Sequence, residues 1–431
     1  MENGRYLVVS IRRDDPLVVY VVNQTLHWFI VGITLPIIVL YIISKGLDLF
    51  QAGLILSIYS GTIILLELPT GGLSDAIGRK RVYLYSLAVS VLSGITLLFA
   101  AGLLWFVLGF FLYGVARALS SGSMDAWFVD EFGRTNPGGD LQRALAKANI
   151  FIPLGIGAGS LLGGLLPMLT MDLTSGIDWM NQYSANILLM VIMVLVQMIL
   201  TVFLVHETAF KGEGGGLVQG FQKLPRVLSD ALEYGVRDRF TLVLMISSLF
   251  MGFGLLSVEL LWQPQVLGLM GDPTETWIFG VLAAGYFFAS ALGNMLATRL
   301  VPWFGRDHLL LLTIVRAASG ATLVILAWQQ GLLEFAILYL LLYLIFGVAN
   351  SPHAAVFNAR IPGERRSTLM SFESLMLQSG GMLGSLFIGT WATLAGISSA
   401  WTVAGLILLF SSLTYGYLYW IRKKAKGRSM P

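Results

Sequence analysis

Cysteine is absent from the 431 residues. That excludes a disulfide framework, a thiol nucleophile and a thiolate metal site. Charge is scarce as well. Asp, Glu, Lys and Arg make up 12% of the chain, where a soluble domain carries roughly 25%. Hydrophobic residues make up 56% and the mean hydropathy is +0.78. Such a composition belongs to an integral membrane protein with many spans, not to a soluble domain on an anchor. Missing too are a phosphate-binding glycine loop ending in Lys-Ser/Thr and a paired-histidine zinc motif. The four histidines, His27, His206, His308 and His353, are scattered. No nucleophile, base and orienting group fall together, so neither an enzyme nor a resident metal, cofactor or nucleic-acid partner is expected. The first sixteen residues are polar and charged. The apolar run from Leu17 is too long for a signal core, so no cleavable leader is expected.

What is present is a series of long apolar runs: Leu17–Ile43, Leu49–Leu68, Val82–Ala101, Leu103–Met124, Ala148–Met171 and Ser184–Val205, then Phe240–Trp262, Thr276–Thr298, His308–Trp328, Leu332–Phe357, Leu369–Ala395 and Ile397–Ile421. Each is long enough to cross a bilayer as a helix. Barrel strands would alternate apolar and polar residues, and these runs do not. The expected fold is all-α, with twelve transmembrane helices in two pseudo-symmetric six-helix halves around a central cavity. The halves are residues 1–205 and 240–431. Between them, 206–239 reads as a linker that opens on Lys211-Gly212-Glu213-Gly214-Gly215-Gly216 and continues as an amphipathic helix over Leu217–Arg237.

Orientation follows from Lys and Arg. With both termini cytoplasmic, 24 of the 27 fall on the cytoplasmic side. Lys45 lies in an outer loop, and Arg117 and Arg316 lie within spans. The outer loops carry Asp48, Asp172, Asp178, Asp272, Glu275 and Glu334 instead. The halves also resemble copies of each other. An offset of 225 superposes Gly155, Gly159-Ser160-Leu161 and Gly164 on Gly380, Gly384-Ser385-Leu386 and Gly389. An offset of 227 superposes Leu73, Gly78 and Arg79 on Leu300, Gly305 and Arg306, with Pro302 in place of Asp75. Repeats of this kind place a binding site near the bilayer midplane between the halves.

Polar residues inside the spans are the functional candidates, because the membrane makes them costly. An arginine at mid-span costs roughly 2.5–3.5 kcal/mol on insertion scales, so Arg117 is expected to face a wet cavity or a partner helix. Asp125, eight residues on, is about 12 Å away along a continuous helix. It is a candidate proton carrier, and equally a helix-end charge. Glu259, Trp262 and Gln263 share one helical face and suit an amphipathic or cationic substrate; an interfacial Trp beside a solvated acid reads as well. Asn23, His27 and Thr34 on the first span, and Asn350 and His353 on the tenth, could line the same cavity. Arg316 is either an ion-pair member or lies outside its span. Glu67 is expected to tie into the neighbouring basic loop. Gly155, Gly159, Gly163 and Gly164, like Gly380 and Gly384, let helices approach closely; a surface on which the halves rock is the functional version.

The stretch Gly72–Arg81 resembles the signature loop of major facilitator superfamily transporters, with Gly72, Asp75, Gly78, Arg79 and Lys80 matching in order. Arg117 and Gly122 are similar to the family's arginine-centred motif in span four, though the spacing is one residue longer. Gly155, Gly159, Gly163 and Gly164 resemble its exporter motif in span five, with Ser160 where a proline is usual. The resemblance implies alternating access and a cytoplasmic latch formed by Asp75 and Arg79 with Asp130 or Glu131, and with Glu373 as a further member. It also links Arg117 with proton coupling; with Asp125 and Glu259 as the candidate proton carriers and Arg117 modulating them, the expected function is proton-coupled export of small amphipathic or drug-like compounds. The alternative is import or facilitation of a sugar, an organic anion or another metabolite. The expected partners are the small-molecule substrate, protons and the lipid bilayer of a bacterial cell membrane, with the chain acting as a monomer.

Overall fold

The computed structural model describes residues 15–208, 222, 238–360 and 366–428, with the backbone alone at 68, 71, 72, 75, 366–368 and 425–428. Most of the expected linker lies outside these residues, including all of its amphipathic helix except residue 222. So does the side chain of Asp75.

Fourteen helices form among the described residues. The first span is α1 (Pro16–Thr34) and α2 (Ile38–Ser44), interrupted around Pro36. Proline has no N–H and its ring clashes with the preceding turn, so a continuous helix stops there. Next comes α3 (Leu49–Ile77), opened by a capping box between Asp48 and Gln51. After Gly78, at φ +100°, the chain re-enters helix as α4 (Arg79–Leu98). The fourth span was expected to be unbroken and is not. It is α5 (Leu103–Ser120) followed by α6 (Ser123–Thr135), separated by a tight turn with Ser121 at φ −57°, ψ 119° and Gly122 at φ +70°. The helical distance between Arg117 and Asp125 therefore does not apply. The first half closes with α7 (Leu141–Ser175) and α8 (Ser184–Leu204). The second half runs α9 (Arg239–Leu269), α10 (Trp277–Trp303), α11 (His308–Leu326), α12 (Leu332–Arg360), α13 (Arg366–Ala395) and α14 (Ile397–Arg428).

Among the described residues, eleven spans are long and apolar enough to cross a membrane, counting α1–α2 and α5–α6 once each. The 30-residue α13, richer in glycine and serine, supplies the twelfth. Packing repeats between the halves. As α1 packs on α7, α9 packs on α13; as α4 packs on α5 and α8, α11 packs on α12 and α14; as α3 packs on α5, α10 packs on α12. The glycine stripes make these contacts possible. A Cβ on Gly155, Gly159 or Gly163 would collide with the carbonyl oxygens of Thr25, Phe29 and Ile33, and one on Gly380 or Gly384 with those of Leu249 and Phe253. These glycines therefore join helices within a half and are not a rocking surface. Between the halves, α3 packs on α13 and α7 on α10, with Gly53 against Ser385 and Gly164 against Gly280.

The ends of the described chain and the loops rich in Lys and Arg share one side of the bundle, here called the basic side. On the opposite side the halves are bonded together. Phe50 N–H donates to Thr393 Oγ1 at 2.9 Å and Thr276 Oγ1 to the Gly164 carbonyl at 2.7 Å. None of the described ion pairs joins the halves.

Candidate functional site

A cavity of about 480 Å³ lies between the halves, lined by α1, α3, α5, α9, α10 and α12 among others. Its wall is mostly apolar and aromatic, with Tyr59, Phe110, Tyr113, Tyr286, Phe287 and Tyr343. Glu259 is the one charged group among the described lining residues.

Residues on both sides of the break at Pro36 line this cavity, and there the two halves are bonded together. A regular helix would bond Val39 N–H to the Leu35 carbonyl. Here the Gln263 amide of α9 stands between them, accepting from Val39 N–H at 2.9 Å and donating to the Leu35 oxygen at 2.9 Å. Leu40 N–H reaches the same Gln263 oxygen at 3.4 Å. A side chain of one half thus satisfies the interrupted backbone of the other. Inside a membrane those groups would otherwise go unpaired. Gln263 is 1% exposed, so the junction is tightly packed.

One turn before Gln263, Glu259 accepts from the Tyr343 hydroxyl at 2.5 Å. Tyr286 stacks on Tyr343 with ring centroids 4.2 Å apart, and Tyr339 meets both rings. Trp262 was expected to share the cavity face but does not line it. It is fully buried against Phe279 and Tyr339. The i+3 position falls about 60° to one side of Glu259 and i+4 about 40° to the other, and only the second side faces the cavity.

A second cavity of about 330 Å³ lies within the C-terminal half and shares Met251 and Asn350 with the first. Its polar wall is Ser248, Arg316, His353, Glu373, Ser374 and Tyr415. His353 Nε2 pairs with Glu373 Oε1, and His353 Nδ1 lies 2.8 Å from the Tyr415 hydroxyl. Ser248 donates to Glu373 Oε1 at 3.1 Å. Arg316 lies over the Tyr415 ring at 5.3 Å and donates to the Ser247 carbonyl at 3.1 Å and Ser411 Oγ at 3.3 Å. Arg316 is thus inside its span and held by a carbonyl, a hydroxyl and a ring, not by an acid. Glu373, expected at the latch, is engaged within its own half.

On the basic side Arg79 pairs with Asp130 at 2.7 Å. Glu131 does not meet Arg79; it accepts from Thr208 N–H and from Arg134. Glu207 caps the start of α4, accepting from the N–H groups of Arg79 at 2.6 Å and Lys80 at 3.2 Å. A carboxylate at a helix N-terminus meets unpaired N–H groups and a favourable dipole. Glu207 was not anticipated, although an acid directly after the last turn of α8 is a visible signal. Glu67 does not enter the basic loop either. It accepts from Ser121 Oγ at 3.1 Å, in the α5–α6 break, and from Ser374 Oγ at 3.4 Å in the other half.

The remaining candidates separate. Thr34 lines the first cavity and Asn350 both. Asn23 is 5% exposed and bonded to Thr201, Tyr83 and Gln197, so it ties helices together away from both cavities. His27 lines neither cavity. Asp125 also lines neither, and accepts from the Tyr20 hydroxyl at 2.6 Å and Gln24 at 3.0 Å. Arg117 is exposed one turn beyond Tyr113, a lining residue, and forms no ion pair among the described residues. Outside the membrane, Asp238 caps α9. Burial pushes its carboxyl up, but hydrogen bonds from Thr241 and Arg360, the Arg360 charge and the Phe240 N–H outweigh that and hold it below the usual carboxylate range.

The chain matches the family model described as Major Facilitator Superfamily over residues 21–279 and 265–430. A relative, the uncharacterized MFS-type transporter YxaM of Bacillus subtilis (strain 168), is 23% identical over 408 residues, 94% of this chain and 96% of that protein. The crystal structure of the nucleoside transporter NupG is similar with a TM-score of 0.74 at 13% identity, covering 94% of this chain and 99% of the other. That of a bacterial homologue to the human lysosomal transporter Spinster, inward-facing and occupied, gives 0.68 at 14%, covering 94% and 96%. At these identities the two structures bear on the fold alone. The family match spans nearly the whole chain and agrees with two packed six-helix halves enclosing a cavity. The chain therefore belongs to the Major Facilitator Superfamily, the multi-pass membrane transporters that work by alternating access.

Proposed function

We propose that this transporter exports small amphipathic compounds carrying a cationic or hydrogen-bond-donating group, in exchange for protons, across a bacterial cell membrane. The observation that carries this reading is the first cavity, whose apolar and aromatic wall holds one described charge, Glu259. Aromatic faces and a carboxylate together favour a cation with an apolar body. The Lys and Arg distribution supports a cytoplasmic basic side. The Gln263 junction bonds the halves on the opposite side, which supports loading from the cytoplasm. The Arg79–Asp130 pair and the Glu207 cap make the signature loop a rigid unit of the first half, suited to act as the latch.

A second reading is movement of a neutral polar metabolite. It is favoured by Thr34, Gln263, Ser290 and Asn350 on the same wall. An organic anion fits less well, because it would face Glu259. A thermal-shift screen of the purified chain against amphipathic cations, neutral nucleosides and sugars, and organic anions separates these readings. The proposal expects stabilisation by cations, and proteoliposome flux of those cations that rises with an imposed pH gradient. Stabilisation by anions alone, or flux indifferent to the gradient, contradicts it.

A further inference from the structure

Two acids of the C-terminal half line adjoining cavities, and their surroundings differ. Glu259 is bonded to a tyrosine in a mostly apolar chamber. Glu373 is bonded to a histidine in a polar one. We propose that the Glu373–His353 pair holds the coupling proton, in a chamber separate from the substrate carboxylate Glu259 and joined to it at Asn350 and Met251. This rests on the reading of the chain as a proton-coupled transporter and names the group that carries the proton.

The chemistry follows from the contacts. His353 presents Nε2 to Glu373 and Nδ1 to the Tyr415 hydroxyl. With the pair deprotonated, a neutral imidazole donates from Nε2 to the carboxylate and accepts at Nδ1 from Tyr415. Adding one proton gives either imidazolium beside carboxylate or neutral imidazole beside carboxylic acid. No other bond is made or broken, and the proton leaves to water in the chamber. Every packed element contributes to the balance. From α9 comes the Ser248 hydroxyl, donating to Glu373. From α11 comes Arg316, and from α14 Tyr415 beneath its guanidinium. Beside the pair, α12 adds the Asn350 amide. Across the interface, α3 brings Glu67, bonded to Ser374, the neighbour of Glu373. Among the groups that line the chamber the charge of Arg316 offsets that of Glu373, so the deprotonated lining is neutral and the protonated one carries a single positive charge, with the Glu67 carboxylate outside it beyond Ser374. Charge in a membrane interior is costly, which limits the load to one proton and makes it releasable.

The link to movement is Glu67. Its second oxygen accepts from Ser121 in the α5–α6 break. A change of charge at Glu373 thus acts one residue from the hydrogen bond that joins the halves on their basic half. Tyr415 and Arg316 are positioning residues that fix the imidazole and set its electrostatic surroundings.

The test uses the full chain. Infrared difference spectra of the ligand-free protein, recorded on acidification, report a titrating carboxyl or imidazole band of the pair. The proposal expects it to vanish in Glu373→Gln and to shift in His353→Asn and Tyr415→Phe. A titrating band unchanged in Glu373→Gln overturns the assignment. In proteoliposomes, with ethidium as the amphipathic-cation probe, Glu373→Gln should keep ethidium counterflow within about twofold while losing pH-gradient-driven flux by about tenfold or more, within the usual range of site-to-site coupling. Gradient-driven flux retained in Glu373→Gln and His353→Asn, but lost in Asp125→Asn, overturns the site and leaves proton coupling standing. Wild-type flux that ignores the gradient overturns the transport reading and the coupling role with it.

Discussion

The glycines give the register between the two halves. Gly155 and Gly159 of α7 meet the carbonyls of Thr25 and Phe29, and Gly380 and Gly384 of α13 meet those of Leu249 and Phe253. At that register α13 carries Glu373 where α7 carries Ala148, and α9 carries Ser248 where α1 carries Gln24. In the N-terminal half, polar side chains bond one another: Asn23 with Tyr83, Gln197 and Thr201, and Asp125 with Tyr20 and Gln24. In the C-terminal half Glu259, His353, Glu373 and Asn350 line cavities. One frame thus holds two uses of polarity. The first half is fastened internally, and the second presents its ionisable groups to the space that a ligand or proton enters.

The largest test of that contrast is Gln263→Leu. It strips the one side chain that satisfies the Leu35–Val39 break, and each buried group left unpaired costs about 1–3 kcal/mol. The variant should lose thermal stability. Because the chain has no native cysteine, Thr34→Cys in that background should react faster with a membrane-impermeant maleimide added from the outer side. Unchanged labelling would show that the junction is not a seal. Next is Asn23→Leu, which takes from the Tyr83 hydroxyl its acceptor and from Thr201 Oγ1 its donor, while Gln197 keeps its bonds to Tyr83 and to the backbone carbonyl of residue 23. It should cost about 1–3 kcal/mol in denaturant or thermal unfolding and leave ligand affinity alone. A large loss of affinity with intact stability would move Asn23 from packing to binding.

The smallest effect is at Asp238. It is partly exposed, so its pairing with Arg360 is worth at most about 1 kcal/mol. Its folded pKa is depressed. The stabilisation is therefore complete above the unfolded value of about 3.9 and fades as pH falls below it. Asp238→Asn should be slightly less stable than wild type at neutral pH and equal to it in acid, as read by melting curves at the two pH values.

Much of the frame was legible in the sequence because span length and loop charge are set by the bilayer itself. The apolar runs gave the helix order, and Gly78 and Arg79 marked the signature loop. The two breaks were not read. Pro36 and Gly122 sit inside apolar stretches, and a hydropathy pattern does not register a backbone interruption. Of the site, Glu259, Gln263 and Thr34 line the first cavity, whereas Trp262, expected on the same face, does not, because three-residue and four-residue spacings turn to opposite sides of Glu259. His353 and Glu373 were each noticed but given separate roles, since their meeting depends on how α12 and α13 pack. Arg316 reads from the sequence either as an ion-pair member or as lying outside its span; a tyrosine ring, a serine and a carbonyl hold it within the span, and none of these stands out in a sequence. Asp125 looked like a carrier because of its position near the membrane. Its two hydrogen bonds to α1 place it in the fastening of the first half.

The contrast between a fastened half and a presenting half is tested most directly by isothermal titration of one amphipathic cation, tetraphenylphosphonium, into wild type, Glu259→Gln and Asp125→Asn under identical conditions. Loss of the cavity carboxylate should weaken binding about tenfold or more, a change of about 1.4 kcal/mol or greater, and loss of Asp125 should leave it within about twofold. Equal weakening by both variants, or weakening by Asp125→Asn alone, would contradict the account.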